Sequence, residues 1–401
     1  MQPEPKRRKN GTTTNHTRTV SVTMTTMATG DSKKRTISNS QREVWKLEQE
    51  IVASMVQMEA DPPIDTSVVP DNPLFHVIKD DHKDVYSFSS NPEFYGGVDV
   101  SFPENEEDKA VAVYVIIDKR SLSCVYRDYK YFNLTIPYVS TFLAFREIDP
   151  LQELVHRQVR EYPDMTPKAI LVDGNGILHP RHAGIACFLG TRTNIPTIGI
   201  GKTLLYEGGW TRERLAAAID DFLQNLNDTI GQNSQTLPPQ LMHVRGTIVQ
   251  RTSPDPTNGE AMSPKTASKT NMQEPMDRKT LVTELSHFCN GLAIPLSGAD
   301  KRFPILGCAL VGHGGHSNSK KSNQLSSGGT IKPIFVSIGH RVSLTKAIQI
   351  TASLCQHRIP EPVRIADLYG RELMRSSDKS NVEVVDPMQV QGDREMAATM
   401  S

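Results

Sequence analysis

Aromatic residues are scarce in this chain. Only 6% of its 401 residues are Phe, Trp or Tyr, and hydrophobic residues make up 37%. Both figures are low for a chain folded end to end, so part of it is expected to stay unfolded. An excess of either charge is missing too: 45 Lys and Arg balance 45 Asp and Glu, for a formal net charge of zero. No overall field therefore draws the chain to a polyanion, and a nucleic-acid partner has to be met by local clustering. The five cysteines, Cys124, Cys187, Cys289, Cys308 and Cys355, are odd in number and far apart. That excludes zinc-finger spacing and fits a reduced intracellular compartment. No apolar run reaches the roughly 18 residues a bilayer span needs, so no membrane partner is expected. The first residues lack the apolar stretch of a secretion signal.

What is present divides into segments. Residues 1–38, rich in Thr, Ser, Lys and Arg without apolar periodicity, read as a disordered basic tail. Within it, Pro5 to Lys9 is a basic cluster: either a solvated tail, or an aid to phosphate attraction or nuclear import. Localisation is expected in the cytoplasm, with the nucleus or nucleolus open to it. Residues 39–375 read as one domain, broken by low-complexity insertions at about 232–278 and 314–330, and 376–401 as a disordered tail. A monomer is expected.

Inside the domain, Ser40 reads as the cap of a helix over about 40–59. Its apolar stripe would be Val44, Leu47, Ile51, Met55 and Met58, and Pro62 and Pro63 would stop it. Strand patterns follow at Tyr95–Phe102, Ala110–Asp118 and Ser123–Phe132, joined by short turns, which favours an antiparallel meander. A helix over 148–160, a strand over 169–174, a helix over 182–190 and a strand over 197–201 then alternate, which implies parallel pairing. Residues 289–311 read as ordered, followed by a strand at 334–339 and a helix at 343–356. The fold class is α/β: a ribonuclease H-like mixed sheet of antiparallel meander plus parallel strands, flanked by helices.

Polar residues at strand ends carry the chemistry. Asp99 lies on the first strand, and Asp173 closes an apolar strand before Gly174, where α/β sheets place their sites. Either alone reads equally well as a turn residue or helix cap. Together they offer the oxygen ligands that magnesium takes, one or two carboxylates with waters and phosphates completing the shell. Glu147 is either a third acid or the acidic first turn of a helix. Lys202 and His340 also end predicted strands; a lone surface lysine is usually solvated, and a lone strand-end histidine usually structural.

The strings YGGVDVSF, PYVSTFLAFRE, LVDGNGILHPR, IPTIGIGK, VSIGHRVSL and IPEPVRIAD follow in that order between about residues 90 and 370. In this they resemble the signature blocks of the endonuclease V family, in its eukaryotic form. The resemblance implies a Mg²⁺-dependent nuclease, with Mn²⁺ able to substitute. It implies hydrolysis of the second phosphodiester bond 3′ to inosine, leaving a 3′-hydroxyl and a 5′-phosphate. Carried over by motif, Asp99 and Asp173 hold the metal and Glu147 completes the acidic cluster. Lys202 neutralises charge on the phosphate, and His340 orients or activates the attacking water or sits close to the metal. Pro137, Tyr138, Val139 and Ser140 resemble the strand-separating wedge. Leu143, Gly174, Gly184 and Leu205 line the pocket of an extruded base. His179 and Arg181 fall in the loop after the catalytic aspartate, where Arg181 meets a phosphate or is simply a surface arginine.

Two positions depart from the family pattern. Ser140 stands where bacterial members have a second proline. Thr141 stands where glycine is usual, and a β-branched residue disfavours φ above zero. The expected substrate is inosine in single-stranded RNA. Deoxyinosine in DNA is the alternative, and RNA is told from DNA by its 2′-hydroxyl. A non-catalytic RNA-binding protein would be expected to lose acids that are retained here. Another ribonuclease H-like nuclease would lack PYVS together with GHRVS.

Overall fold

Ser38 opens the first helix, α1 (Asn39–Met55). Its Oγ accepts a hydrogen bond from the Gln41 amide at 3.1 Å, satisfying one of the donors that a helix start leaves bare. The cap is thus Ser38 rather than Ser40, and the helix stops at Met55, short of 59. The structure, a computed structural model, describes residues 36–59, 76–77, 92–103, 108–205, 209–232, 292–311 and 332–375. The two expected insertions, the C-terminal tail and all but the last residues of the N-terminal one lie outside these, as do Pro62 and Pro63. The aliphatic stripe of α1 does not form its buried face. Val44, Leu47, Ile51, Met55 and Met58 are exposed, while Trp45, Gln49, Val52 and Ala53 are buried. Trp45 decides this: its ring stacks on Phe145 at 4.9 Å between centroids and tilts against Phe142, so the helix turns to bury its largest side chain.

After a two-residue strand, β1 (His76–Val77), come β2 (Phe94–Ser101), β3 (Lys109–Asp118) and β4 (Ser123–Asn133), paired antiparallel as the sequence suggests. The alternating part is α2 (Ala144–Glu161), β5 (Ala169–Asp173), α3 (Ile185–Thr193) and β6 (Thr197–Gly201). β5 runs parallel to both β2 and β6. α2 begins a turn earlier than expected and accommodates Pro150. α3 starts at Ile185, not 182, and ends on Asn194, whose φ of 57° makes the left-handed stop common at helix ends. α4 (Arg212–Gln232) precedes β7 (Leu292–Ser297), β8 (Ile305–Val311) and β9 (Ile334–His340), all antiparallel to their neighbours. The helices α5 (Leu344–Ser353) and α6 (Glu361–Arg375) follow.

The nine described strands form one mixed sheet in the order β1-β7-β8-β9-β6-β5-β2-β3-β4. β3 shows why helices must cover both faces. Its run is buried from Ala110 to Ile117, and alternate residues point opposite ways. Ala112, Tyr114 and Ile116 join the main core, which includes α2 and α3 residues; Val111, Val113 and Val115 join a second core with Ala366 and Leu373 of α6. α6 comes so close to β2 that a Cβ at Gly97 would meet the Pro362 backbone at 2.2 Å. Only glycine permits that approach, and it brings the side of α6 against the strand that carries Asp99. No described helix is long and apolar enough to cross a membrane.

Candidate active site

Strand register sets the centre of the site. β2 and β5 run side by side with Val98 opposite Val172, so Asp99 and Asp173 emerge next to each other. Asp99 is 6% exposed and accepts a hydrogen bond from Ser101 Oγ at 3.2 Å. Burial, followed by the adjoining Asp173 carboxyl, pushes the Asp99 carboxyl well above the usual carboxylate range. Lys202, just past β6, places Nζ 2.6 Å from Asp173 Oδ2. Burial works against its charge, but Asp173, Asp99 and Asp367 outweigh it and hold its ammonium above the ordinary lysine range.

Glu147 stands in the first turn of α2 and is 4% exposed. Burial, reinforced by Asp173 and opposed by Arg146, raises its carboxyl to about 8. Its Oε1 is buried without a hydrogen-bond partner. Two carboxyls held above their normal range and an orphaned acidic oxygen are what a site shaped for added positive charge shows. The donors are all oxygens, which suits a hard divalent cation. Among the described residues no three His, Cys, Asp or Glu groups close into a finished ligand set. The pair Asp99–Asp173 fits a cation that keeps several waters.

Asp367 belongs to this cluster and was not singled out in the sequence, although it ends the string IPEPVRIAD. It reaches Lys202 from α6, with Oδ1 3.6 Å from Nζ, and is paired on its other side with Arg371 at 2.9 Å. His340 does not belong to it. β9 runs antiparallel to β6, so the end of β9 pairs His340 with Thr197, at the start of β6, whereas Lys202 follows the other end. There His340 Nδ1 accepts from the Gln57 amide at 3.3 Å. Burial, then Arg341, lowers its pKa. The structure therefore does not bring His340, expected beside the attacking water, to the acids.

A cavity of about 520 Å³ opens beside the acids. Asp99, Glu147, Asp173 and Lys202 line one part of it. Leu143, Gly174, His179, Gly184 and Leu205 also line it, with Tyr138 and Ser140 on its boundary. Tyr138 is 70% exposed. Pro137 and Val139 flank that rim without lining the cavity. Gly174 has φ 145°, open to glycine alone, and a Cβ there would strike Ile185 Cγ2 at 2.5 Å. Arg181 does not line the cavity either: its guanidinium is bound to Thr141 and Gln49 and lies 4.4 Å over the Phe142 ring. It props a loop rather than waiting for a phosphate. Residues that the sequence did not point to line the cavity too, among them Gln49, Phe102 and Arg146, the last lying 4.9 Å over the Phe102 ring.

The family profile of Endonuclease V matches residues 78–238 and 311–368, more than half of the chain. The chain belongs to the endonuclease V family. It is 32% identical to the Mus musculus endonuclease V over 298 residues, covering 73% of this chain and 64% of the mouse protein. Against the Homo sapiens endonuclease V it is 30% identical over 300 residues, covering 74% of this chain and 78% of the human one. Less than two thirds of the mouse relative's length is thus spanned. The crystal structure of the catalytic domain of human endonuclease V superposes with TM-score 0.52 at 27% identity, covering 84% of this chain and 98% of that one. A Ciona intestinalis endonuclease V, in complex with a 23mer DNA containing an inosine followed by a ribo-adenosine, shares the fold with TM-score 0.51 at 22% identity, covering 84% of this chain and 99% of that one. These neighbours bear out the ribonuclease H-like mixed sheet.

Proposed function

We propose that this chain is a divalent-metal-dependent endonuclease that hydrolyses the second phosphodiester bond 3′ to inosine in single-stranded RNA, leaving a 3′-hydroxyl and a 5′-phosphate. The observation that carries the reading is the meeting of Asp99 and Asp173 at neighbouring strand ends, with Lys202 against them, on the wall of a cavity bounded by an exposed tyrosine. Asp99 and Asp173 hold Mg²⁺, or Mn²⁺ in its place. When bound, such a cation polarises the scissile phosphate and offsets charge on the leaving oxygen.

The chain's own groups do the rest. Lys202 holds a positive charge where negative charge grows on the phosphate, the task that dominates phosphoryl transfer. Glu147, with a carboxyl near 8 and one unpaired oxygen, accepts a hydrogen bond from the attacking water or donates its own proton. Tyr138 stacks where the modified base leaves the strand, and the cavity receives that base. Attack of water at phosphorus breaks the bond to the 3′-oxygen, so the phosphate stays on the 5′ end of the downstream product.

Deoxyinosine in DNA is the second reading, favoured by the Ciona intestinalis protein having been captured with inosine-containing DNA. Matched oligonucleotides decide between them: inosine RNA, deoxyinosine DNA and unmodified controls of each, with Mg²⁺ and with EDTA. The proposal expects Mg²⁺-dependent cutting of inosine RNA above the rest. Equal cutting of unmodified RNA contradicts the inosine reading, and preferred cutting of deoxyinosine DNA puts the second reading first.

A further inference from the structure

Thr141 stands in the left-handed region with φ 68°, a conformation that its branched Cβ disfavours. Three side chains converge on its carbonyl oxygen: Gln49 donates through Nε2 at 2.8 Å, His179 through Nε2 at 2.9 Å and Arg181 through Nη2 at 3.0 Å. Arg181 Nη2 also donates to Thr141 Oγ1 at 2.7 Å. The donors are locked to one another. Gln49 Oε1 accepts from Arg181 Nε, and His179 Nδ1 accepts from the Arg181 amide at 3.3 Å. With Nδ1 so engaged, the ring proton of a neutral His179 sits on Nε2, facing Thr141. Burial first, then Arg181, pushes the imidazole down to about 3, so it stays neutral. Gln49 is 1% exposed and also donates to the Ala183 carbonyl at 3.3 Å, beside Gly184 on the cavity wall.

We propose that Gln49 is a positioning residue: with His179 and Arg181 it clamps Thr141 in its left-handed turn and so fixes the 137–143 loop, which carries Tyr138 and part of the cavity wall. A helix outside the sheet thereby sets the shape of the pocket. This rests on the base-accepting reading of the cavity given above. The metal-side residues, anchored on β2, β5 and past β6, do not depend on the clamp.

The test uses the full chain. Gln49→Met keeps the volume and removes both ends of the amide. Amide hydrogen exchange across 137–143 is expected to quicken about tenfold or more, with β2 and β5 unchanged. KM for an inosine-containing RNA is expected to rise about tenfold while kcat stays within about threefold, the sign of lost binding geometry rather than lost chemistry. Thr141→Gly removes the need for a clamp, because glycine holds a positive φ unaided. In that background Gln49→Met is expected to cost less than about threefold in KM, a coupling that a merely structural glutamine would not show. Equal losses in both backgrounds overturn the proposal, as does unchanged exchange in 137–143. If Gln49→Met does not fold, Arg181→Lys, which keeps the charge and loses the planar fork, is measured in the same two backgrounds and judged by the same outcomes. A wild-type protein that ignores inosine, yet shows faster loop exchange in Gln49→Met, leaves the clamp standing and removes the functional reading.

Discussion

The two ends of the cleft are built in different ways. At the acidic end, Asp99 and Asp173 are placed by the pairing of two central strands, and Lys202 by the residue that follows a third. Their positions are fixed by backbone hydrogen bonds before any side chain chooses a rotamer. At the other end, Tyr138 and Thr141 sit on a loop, and the loop is held by side chains from α1 and from the segment after β5. On the proposed function the rigid end holds groups that must stay within fractions of an ångström of a phosphate. On the same proposed function the propped end receives a base, whose entry calls for exposed, adaptable surface.

The sharpest way to break this contrast is at the acids. Asp173→Ala is expected to lower kcat by at least about a thousandfold while oligonucleotide affinity changes little. Near-normal cleavage by that variant, measured in single turnover, would show that the strand-end pair is not the reaction centre. Lys202→Met should cost about a hundredfold in kcat, the scale of one preorganised charge contact. Tyr138→Ala belongs to the propped end and should weaken substrate binding about tenfold, as loss of one stacked base does, with cation affinity unchanged. Unaltered binding and turnover in Tyr138→Ala would remove the wedge. His340→Gln should have the smallest effect on chemistry, kcat within about threefold, with a loss of stability of about 1 kcal/mol from the hydrogen bond that the buried imidazole accepts from Gln57. A kcat drop in His340→Gln as large as that of Lys202→Met would restore it to the reaction and contradict its placement beside Thr197.

The same contrast explains what the sequence disclosed. Asp99 and Asp173 were legible because each interrupts an apolar strand with a carboxylate, and strand periodicity carries residues to predictable places. His340 had the same local look and was misplaced, since a string does not say that β9 enters the sheet antiparallel to β6 and so points its end away from Lys202. Asp367 stood in plain view inside IPEPVRIAD, yet α6 was not foreseen as an element. Its apolar residues Val363, Ala366, Gly370 and Leu373 recur at helical steps and are buried, a signal that was available. Gln49 had no signal. A neutral amide in a helix becomes a clamp only because Trp45, and not the longer aliphatic row, turns α1 inward. Thr141 is a misfit for positive φ by residue type alone, and the structure resolves the conflict by surrounding its carbonyl with donors rather than by relaxing the turn.

The proposed function stands or falls with a divalent cation held jointly by Asp99 and Asp173. Titration of Mn²⁺ into the full chain, followed by the loss of its free-ion electron paramagnetic resonance signal, tests it without reference to substrate. Binding by the wild type is expected, with at least about tenfold weaker binding in both Asp99→Asn and Asp173→Asn, a loss of about 1.4 kcal/mol or more, and wild-type binding in His340→Gln. Wild-type affinity in either aspartate variant contradicts the proposed function.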